Sequence, residues 1–403
     1  MINKRTRLFI QFKIINFFHI LKTIFHNKKN FLSYLKTFLN VENLSLTSYG
    51  RVALFQIVKI IISESNKKTF FIAPYTIPAV IHAILYAGGK VSYIDIDQET
   101  GLIDEEKLEK KINVDTAGVI ITHLYSNKKD LTNFINKFDK KLYIIEDAAI
   151  NFGAQIDNKF LGTIGDFGFF SFAMVKNLNT FTGGAIYIKD TNIFKKYISQ
   201  KTLKPFPAGK TLNLLITAIF IKLFFNNFSY QFTHYFLRFV YLKNIKFILK
   251  KIYPILFHNY EKKIPSYYNQ DFNWTMNDVG IYNLKNINKK IDDRIDKANL
   301  YKKFLSDEVI IKTKCLNKEN ALLEFPIILK NLNNKDVHDK MMSEGYDIRH
   351  TWYINNIKND ANFRKDNFKN TFSLEEKILC LPLHENISSK DIEKISSLIN
   401  RMN

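Results

Sequence analysis

The chain has 403 residues, of which 46% are hydrophobic and 24% are charged, so its composition excludes a disordered protein and allows two domains. Cys315 and Cys380 lie far apart without metal-ligand spacing, which argues against a disulfide framework and predicts no metal site. The net charge of +21 fits an anionic lipid surface, nucleic acid, or simply the Lys- and Asn-rich composition of an AT-rich genome. Since no nucleic-acid-binding motif accompanies the charge, we predict no nucleic-acid partner.

Residues 1–40 form a segment with its own amphipathic pattern. Apolar side chains recur at helical spacing over residues 8–25 and again over residues 31–39, beside basic polar edges. A signal peptide is a competing interpretation, but Lys13 and His19 interrupt the apolar stretch and no small-residue cleavage site follows. We therefore predict two helices that lie in a membrane interface.

Residues 41–204 alternate short β-rich runs with helical stretches. The strand candidates are TFFIAPY, KVSYIDID, GVIITHLY, KLYIIEDAA, FGFFSFA and GAIYIKD. Strands that alternate with helices predict an α/β domain, in which a mainly parallel sheet is covered by helices on both faces. In such a domain, ligands bind at the carboxyl ends of the strands.

Residues 205–265 interrupt this rhythm with an apolar and basic helical insertion. Its longest apolar run is broken by Lys222 and falls short of the about 20 residues that a spanning helix needs. Basic residues beside wide apolar faces favour helices in a membrane interface, and a buried helical subdomain or a dimer contact is the alternative. Residues 266–403 return to a globular pattern and are predicted to form a small α+β domain.

Residues 146–184 carry the residue types of a pyridoxal phosphate (PLP) site. One predicted strand delivers Asp147 at its carboxyl end, and a later strand delivers Ser171, with Lys176 just beyond it. PLP chemistry needs a lysine amine that condenses with the cofactor aldehyde and an acid that faces the pyridine nitrogen. It also needs hydroxyl and N–H groups around the phosphate.

A turn upstream of the first predicted strand suits the phosphate. The sequence Ser-Tyr-Gly-Arg over residues 48–51 precedes the helix VALFQIVKII. Gly50 allows close backbone approach, and the amides of Arg51 and Val52 are predicted to point at the anion.

Six stretches in chain order resemble the motifs of one known family: SYGRVAL, IEDAA, SFAMVKNLNTFTGGA, FNWTMND, GYDIRHTWY and LCLPLHENISSKDIEKI. They are similar to motifs of the DegT/DnrJ/EryC1/StrS family of PLP-dependent sugar aminotransferases, from about Ser48 onward. The resemblance implies PLP fold type I, with an aspartate-aminotransferase-like three-layer α/β/α large domain and a small C-terminal domain. It also implies a homodimer with shared active sites, in which Asn273 reaches the PLP phosphate of the neighbouring subunit.

The resemblance also implies roles for the motif residues. Lys176 holds the cofactor and shuttles a proton, Asp147 keeps the pyridine nitrogen charged, and Ser171 with the turn at Gly50 and Arg51 anchors the phosphate. The implied donor is a glutamate-type amino acid, and the implied acceptor is a keto sugar, commonly nucleotide-linked, in surface polysaccharide or glycolipid synthesis. The basic apolar flanks predict a cytoplasmic enzyme that is peripheral on the inner face of the cell membrane.

Several positions depart from the family pattern. The family usually has an aromatic residue at Ile77, which stacks on the PLP ring, and Gln or His at Ile150. It usually has Arg at Thr275 and Gly at Ser126. Aliphatic side chains can still sandwich the ring, and Tyr75 is predicted to move in beside it.

Two other interpretations stay open. A PLP-dependent sugar dehydratase shares the fold, but the resemblance then implies histidine in place of Lys176. A non-catalytic, membrane-associated relative that kept the fold would explain Ile77 and Ile150, although it need not retain Asp147, Ser171 and Lys176.

Overall fold

The computed structural model describes most of the chain. The described residues are 4–6, 18–20, 22–23, 29–124, 128–139, 141–226, 228–243, 245–247, 263–311, 313, 316–317, 319–349, 353–358 and 360–402. Ser126, Cys315, residues 350–352 and most of the predicted helix over residues 8–25 lie outside these ranges.

A seven-stranded sheet forms the centre of the large domain. The strands up to residue 188 are β1 (Leu44–Thr47), β2 (Thr69–Ile72), β3 (Tyr75–Thr76), β4 (Lys90–Tyr93), β5 (Thr116–Thr122), β6 (Tyr143–Asp147), β7 (Gln155–Ile156), β8 (Lys159–Phe160), β9 (Phe167–Ser171) and β10 (Gly184–Ile188). The sheet order is β1-β10-β9-β6-β5-β2-β4. The neighbours from β9 to β4 are parallel, and β10 is antiparallel to both β9 and β1. The predicted α/β class with a mainly parallel sheet is confirmed.

Alternate residues of each central strand pack on opposite faces of the sheet. Phe71 and Ile144 join one buried apolar cluster, whereas Phe70 and Ile145 join the other. Both faces are buried because a strand exposes successive side chains on opposite sides and helices cover each side. The helices Gly50–Ser65 and Pro78–Tyr86 contribute to the cluster of Phe70.

Further helices pack around the central sheet, and the C-terminal part adds helices and a second sheet. The described helices before residue 201 are Phe31–Leu39, Gly50–Ser65, Pro78–Tyr86, Glu105–Lys111, Lys128–Phe138 and Thr191–Gln200; those after residue 276 are Asn277–Lys285, Ile287–Phe304, Asn334–Ser343, Lys369–Lys377 and Ser389–Met402. The short 3₁₀ helices are Ser266–Asn269, Trp274–Met276 and Lys365–Phe368. The C-terminal strands are β11 (Val309–Ile310), β12 (Glu324–Leu329), β13 (Ile354–Asn355) and β14 (Ile378–Pro382). The antiparallel sheet β11-β12-β14 gives the predicted α+β character, and β13 pairs with β3 of the large domain.

The structure corrects the predicted membrane role of residues 31–39. They form the expected amphipathic helix, but Phe31 and Leu35 are fully buried and Leu39 is 2% exposed. Phe31 stacks on Phe272 and meets the edge of Phe172 in the large apolar cluster. The apolar face of this helix therefore covers the protein core and cannot meet lipid.

Two helices in the predicted insertion expose large apolar side chains to solvent. We call Ala208–Phe224 and Tyr230–Leu242 the apolar helix pair. The exposed side chains on the pair include Leu212, Ile216, Ile219, Phe220, Leu223, Phe224, Phe232, Tyr235, Phe236 and Phe239. Phe232 is 68% exposed, and Phe228, in the connection between the two helices, is 78% exposed. Across the ranges described above, the helices are all too short or too polar to cross a bilayer.

The carboxylate of Glu146 holds the turn that leads into β9. Its Oε1 accepts the N–H groups of Ile164 and Gly165 at 2.7 Å each. Its Oε2 accepts Gly162 N at 2.8 Å and lies 2.9 Å from His123 Nε2. Because the carboxylate is fully buried, each of these partners replaces water that it lost on folding.

We predict that Glu146→Gln destabilises the protein by about 2–4 kcal/mol, because an amide cannot accept hydrogen bonds at both positions and buried N–H groups lose their acceptor. Urea unfolding measures the change. Glu109→Gln, on an exposed helix face, is the control and is expected to stay near the wild-type stability.

Candidate active site

Lys176 lies in a loop between β9 and β10, which we call the lysine loop (residues 172–183). The backbone closes the loop at its base, where Phe172 N donates to Gly183 O and Thr180 N donates to Phe172 O, both at 2.9 Å. Lys176 N donates to Ala173 O at 2.9 Å. Lys176 is therefore fixed just beyond the carboxyl end of β9, where ligands of a parallel sheet bind.

Asp147 ends the neighbouring strand β6 and shares an electrostatic environment with Lys176. Its side chain is buried, and Oδ1 accepts Ala149 N at 3.0 Å. Burial raises the pKa of Asp147, against the opposing effect of the Ala149 N–H and the attraction of Lys176. Burial lowers the pKa of Lys176 to about 8, against the attraction of Asp147. A lysine with this pKa is neutral in about a tenth of the molecules at pH 7, far more than an ordinary lysine, and a nucleophilic amine must be neutral.

The predicted phosphate turn lies directly against Ser171. A Cβ added to Gly50 would lie 2.9 Å from the Ser171 Cβ and 3.0 Å from Phe170 O, so only glycine fits this contact. The turn is tied to the lysine loop by Thr182 Oγ1, which donates to Ser48 O at 2.7 Å. The structure thus brings together the start of the helix Gly50–Ser65, Ser171 and the lysine loop.

Two details of this turn differ from the prediction. Val52 N donates to Tyr49 O at 3.0 Å, so this amide is engaged within the first turn of the helix. The Arg51 guanidinium packs near the rings of Tyr49 and Tyr267, and its Nη1 donates to the Tyr267 hydroxyl at 3.4 Å. Arg51 therefore helps to shape the turn through its side chain.

Tyr75 and Ile150 line a small cavity next to the strand ends. Its volume is ≈ 30 Å³, and Tyr353 and Glu324 of the C-terminal part form its other side. Tyr75 is fully buried and meets the Tyr353 ring edge-on at 5.7 Å between centroids. Ile77 precedes the helix Pro78–Tyr86 and packs against both apolar clusters. The two departures from the family pattern therefore make this side of the site aliphatic.

Asn273 lies between the apolar helix pair and the lysine loop. It is 2% exposed, and its Nδ2 donates to Thr211 Oγ1 at 3.0 Å. The adjacent Phe272 would be 2.9 Å from a Cβ added to Gly183. The segment that carries Asn273 therefore packs on Gly183, at the base of the lysine loop. Thr275 follows in the 3₁₀ helix Trp274–Met276.

Two charged residues that we did not predict face Lys176 from the C-terminal part. Arg349 Nε lies 3.2 Å from both carboxylate oxygens of Glu324. Arg349 acts to lower the pKa of Lys176, whereas Glu324 acts to raise it. Arg349 lies in the GYDIRHTWY motif, so the motif contained a signal for this residue, but Glu324 stands in an ordinary strand sequence.

These residues fit PLP by their chemistry. Gly50 has no Cβ, so the space beside the Ser171 side chain stays open. This space lies at a helix N-terminus, which suits a phosphate. The buried Asp147 carboxyl, whose pKa is raised, gains a partner when it meets a pyridinium N–H. Lys176 supplies the amine that the cofactor aldehyde requires.

The family model for the DegT/DnrJ/EryC1/StrS aminotransferase family matches residues 20–203 and 254–400. The chain therefore belongs to this family, and the prediction of the family is confirmed. The match begins upstream of Ser48, so the chain retains more of the family's opening than the motifs indicated. The unmatched stretch between the two parts, residues 204–253, overlaps most of the predicted insertion at residues 205–265, while residues 254–265 match the family.

Curated relatives match over part of their length. GDP-perosamine synthase of Escherichia coli O157:H7 is 29% identical over 164 residues, which cover 40% of this chain and 44% of the relative. UDP-4-amino-4,6-dideoxy-N-acetyl-beta-L-altrosamine transaminase of Campylobacter jejuni serotype O:23/36 is 31% identical over 135 residues, or 32% and 36% of the two chains. The aligned part spans less than half the length of these relatives.

Solved structures match over nearly the whole chain. AtS13 from Actinomadura melliaura superposes with a TM-score of 0.74 at 15% identity and covers 99% of both chains. The E. coli GDP-4-keto-6-deoxy-D-mannose-3-dehydratase with bound hydrated PLP gives 0.72 at 16% identity, also over 99% of both. At such low identity these neighbours establish the fold alone, which agrees with the predicted fold type.

We predict opposite effects of two substitutions on Lys176. Arg349→Met removes a repulsive charge, so the pKa of Lys176 rises and its capture of PLP slows severalfold near neutral pH. Glu324→Gln removes an attractive charge, so that pKa falls. The rate at which cofactor-free protein gains visible absorbance, followed against pH, measures both. In the wild type the rate is expected to be half-maximal near the Lys176 pKa of about 8. Shifts in the same direction for both variants would contradict this assignment.

Proposed function

We propose that the protein is a PLP-dependent sugar aminotransferase that moves an amino group from a glutamate-type donor to a nucleotide-linked keto sugar, in surface polysaccharide or glycolipid synthesis. The observation that carries the proposal is the pairing of Lys176, with its lowered pKa, and the buried Asp147 at adjacent strand ends in a member of this family. The names of two relatives refer to a GDP-linked and a UDP-linked sugar, and this supports the proposed substrate class.

The residues divide the work as follows. When bound, PLP would supply an electron sink that stabilises negative charge on the carbon bearing the amine. Asp147 would hold the proton of the pyridine nitrogen in place, and Lys176 Nζ would carry a proton between the substrate carbon and the cofactor, in opposite directions in the two halves of the reaction. Ser171 and the turn at Gly50 orient the phosphate. The aliphatic wall at Ile77 and Ile150 excludes water.

Shared active sites in a homodimer form part of the proposal. The role of Asn273 at the partner's phosphate follows from the family pattern. Its position beside the lysine loop of its own protomer supports it, because an interface across this region would bring two such sites together. Asn273→Ala is expected to weaken PLP binding without loss of the dimer.

The experiment that tests the catalytic proposal is an absorbance spectrum of the protein with PLP, beside Lys176→Ala and the exposed control Lys159→Ala. We expect a visible band in the wild type and in the control, absent from Lys176→Ala, that shifts to shorter wavelength on addition of glutamate. A wild type without the band would favour the alternative, a non-catalytic membrane-associated relative that kept the fold.

A peripheral position on the cytoplasmic face of the cell membrane completes the proposal. On each helix of the apolar pair, exposed rings and aliphatic side chains recur about one turn apart, as in Phe232, Phe236 and Phe239 of the second helix. Residues 191–260 contain no Asp or Glu and eleven Lys or Arg. A large apolar face within a purely basic stretch suits an anionic lipid surface.

The N-terminal segment lies against the same helices. Lys4 donates to Gln231 O through its Nζ at 3.0 Å, and that Nζ lies 3.3 Å from the centroid of the Tyr235 ring. Ile20 is buried in a cluster with Ala218 and Met276. Two basic, apolar stretches far apart in sequence therefore meet on one side of the molecule, which supports a single lipid-binding surface.

Flotation with vesicles tests the membrane proposal. The full chain is expected to float with vesicles that contain phosphatidylglycerol and to float less at high salt. The double variant Phe232→Glu, Phe236→Glu is expected to lose flotation, while Val114→Glu, at a 91% exposed site away from the helix pair, serves as control. Protein that stays soluble beside anionic vesicles would refute the proposal.

A further inference from the structure

A buried arginine of the C-terminal part contacts the residue next to Lys176. Arg294 lies on the helix Ile287–Phe304 and is 7% exposed. Its Nη1 donates to Asn177 Oδ1 and also to Leu322 O, the latter at 3.4 Å. Asn177 is itself 3% exposed.

The partners of this guanidinium are neutral groups, which is a costly arrangement for a buried charge. Glu324, Asp293 and Glu385 attract it only at longer range, and burial lowers the pKa of Arg294 to about 10 against that attraction. An apolar side chain would fill the same volume without removing a charge from water. The charge therefore indicates a role beyond filling space.

That role is visible in the contacts of Asn177. Its Nδ2 donates to Ala321 O at 2.8 Å and to Phe152 O at 3.4 Å, while its Oδ1 accepts from Arg294. Both N–H groups of this amide and one lone pair of its oxygen are thus bonded to groups outside the lysine loop. With both ends of the amide engaged, the Asn177 side chain cannot rotate.

A second contact secures the loop on its far side. Asn283 Nδ2 donates to Asn179 O at 2.7 Å, and Asn179 in turn accepts Phe181 N and donates to Met174 O. The lysine loop is therefore clamped from the C-terminal part at residues 177 and 179, immediately after Lys176. Arg294 is the charged member of this clamp, and its acceptor Asn177 directly follows Lys176 in the sequence.

We propose that Arg294 is a positioning residue for Lys176, which holds Asn177 and thereby directs the Lys176 amine towards Asp147. The catalytic consequence rests on the proposed function, whereas the effect on the loop does not. Because an arginine delivers a charge-assisted hydrogen bond from a rigid planar group, it fixes the loop more firmly than a neutral donor.

Hydrogen exchange of the full chain without cofactor tests the positioning role. In Arg294→Met we expect the amides of residues 172–183 to exchange about tenfold faster, because the loop loses a charge-assisted contact. Exchange in the helix Gly50–Ser65 is expected to stay unchanged. Arg294→Lys, which keeps the charge, is expected to recover part of the protection.

The control is Lys297→Met, one turn further along the same helix, where Lys297 contacts Asp293 and His384 O. It is expected to leave exchange in residues 172–183 at the wild-type rate. Equal exchange of the loop in wild type and Arg294→Met would overturn the proposal. Acceleration spread over the whole chain would also overturn it, because that result marks a purely structural residue.

A second measurement links the clamp to the amine. With PLP added, Arg294→Met is expected to shift the pH dependence of the visible band and to lower kcat about tenfold with little change in the donor KM. If the wild type gives no band, the proposed function fails while hydrogen exchange still decides the clamp. If Arg294→Met matches the wild type in band and kcat, the positioning role is refuted.

Discussion

The placement of the half-buried Lys176 near the buried Asp147 is the constraint around which the rest of this structure is arranged. The two groups have opposite charges and lie at adjacent strand ends. Desolvation raises the pKa of Asp147 and lowers that of Lys176, and the attraction between the two groups opposes both shifts. Such a pair keeps its geometry only if the backbone around it is rigid. The sheet supplies the rigidity, Glu146 fixes the turn below, and the C-terminal part closes the site above.

The part of the site that the sequence predicted is the part encoded locally. Asp147, Ser171 and Lys176 lie within one stretch, and parallel strand ends necessarily share an edge, so their proximity follows from the order of elements. Arg349, Glu324 and Arg294 come from the C-terminal part. Arg349 falls within a family motif, but in a chain with 59 Lys and Arg residues nothing in the local pattern marks Arg294 as buried and not solvated. Only packing makes that distinction, and packing depends on contacts between distant residues.

The amphipathic segments illustrate a different limit. The helix Phe31–Leu39 and the apolar helix pair have similar patterns of apolar and basic residues, yet the first is buried and the second is exposed. Periodicity reveals that a helix has an apolar face but does not identify what covers it. Here Phe31 fills a space between Phe172 and Phe272, which no local pattern records. The exposed pair falls within the stretch that the family model leaves unmatched.

The contacts of the first described residues have a consequence for synthesis of the chain. Arg5 Nε lies 2.9 Å from Asp391 Oδ2 in a nearly buried ion pair, and Arg5 N donates to Gly345 O at 2.8 Å. Arg5 leaves the ribosome long before Asp391 exists, so it must wait for almost the entire polypeptide before it can dock. Contacts this distant in sequence form late in folding. During translation Arg5 therefore lacks both of these partners, and the start of the chain gains its final contacts only when synthesis is nearly complete.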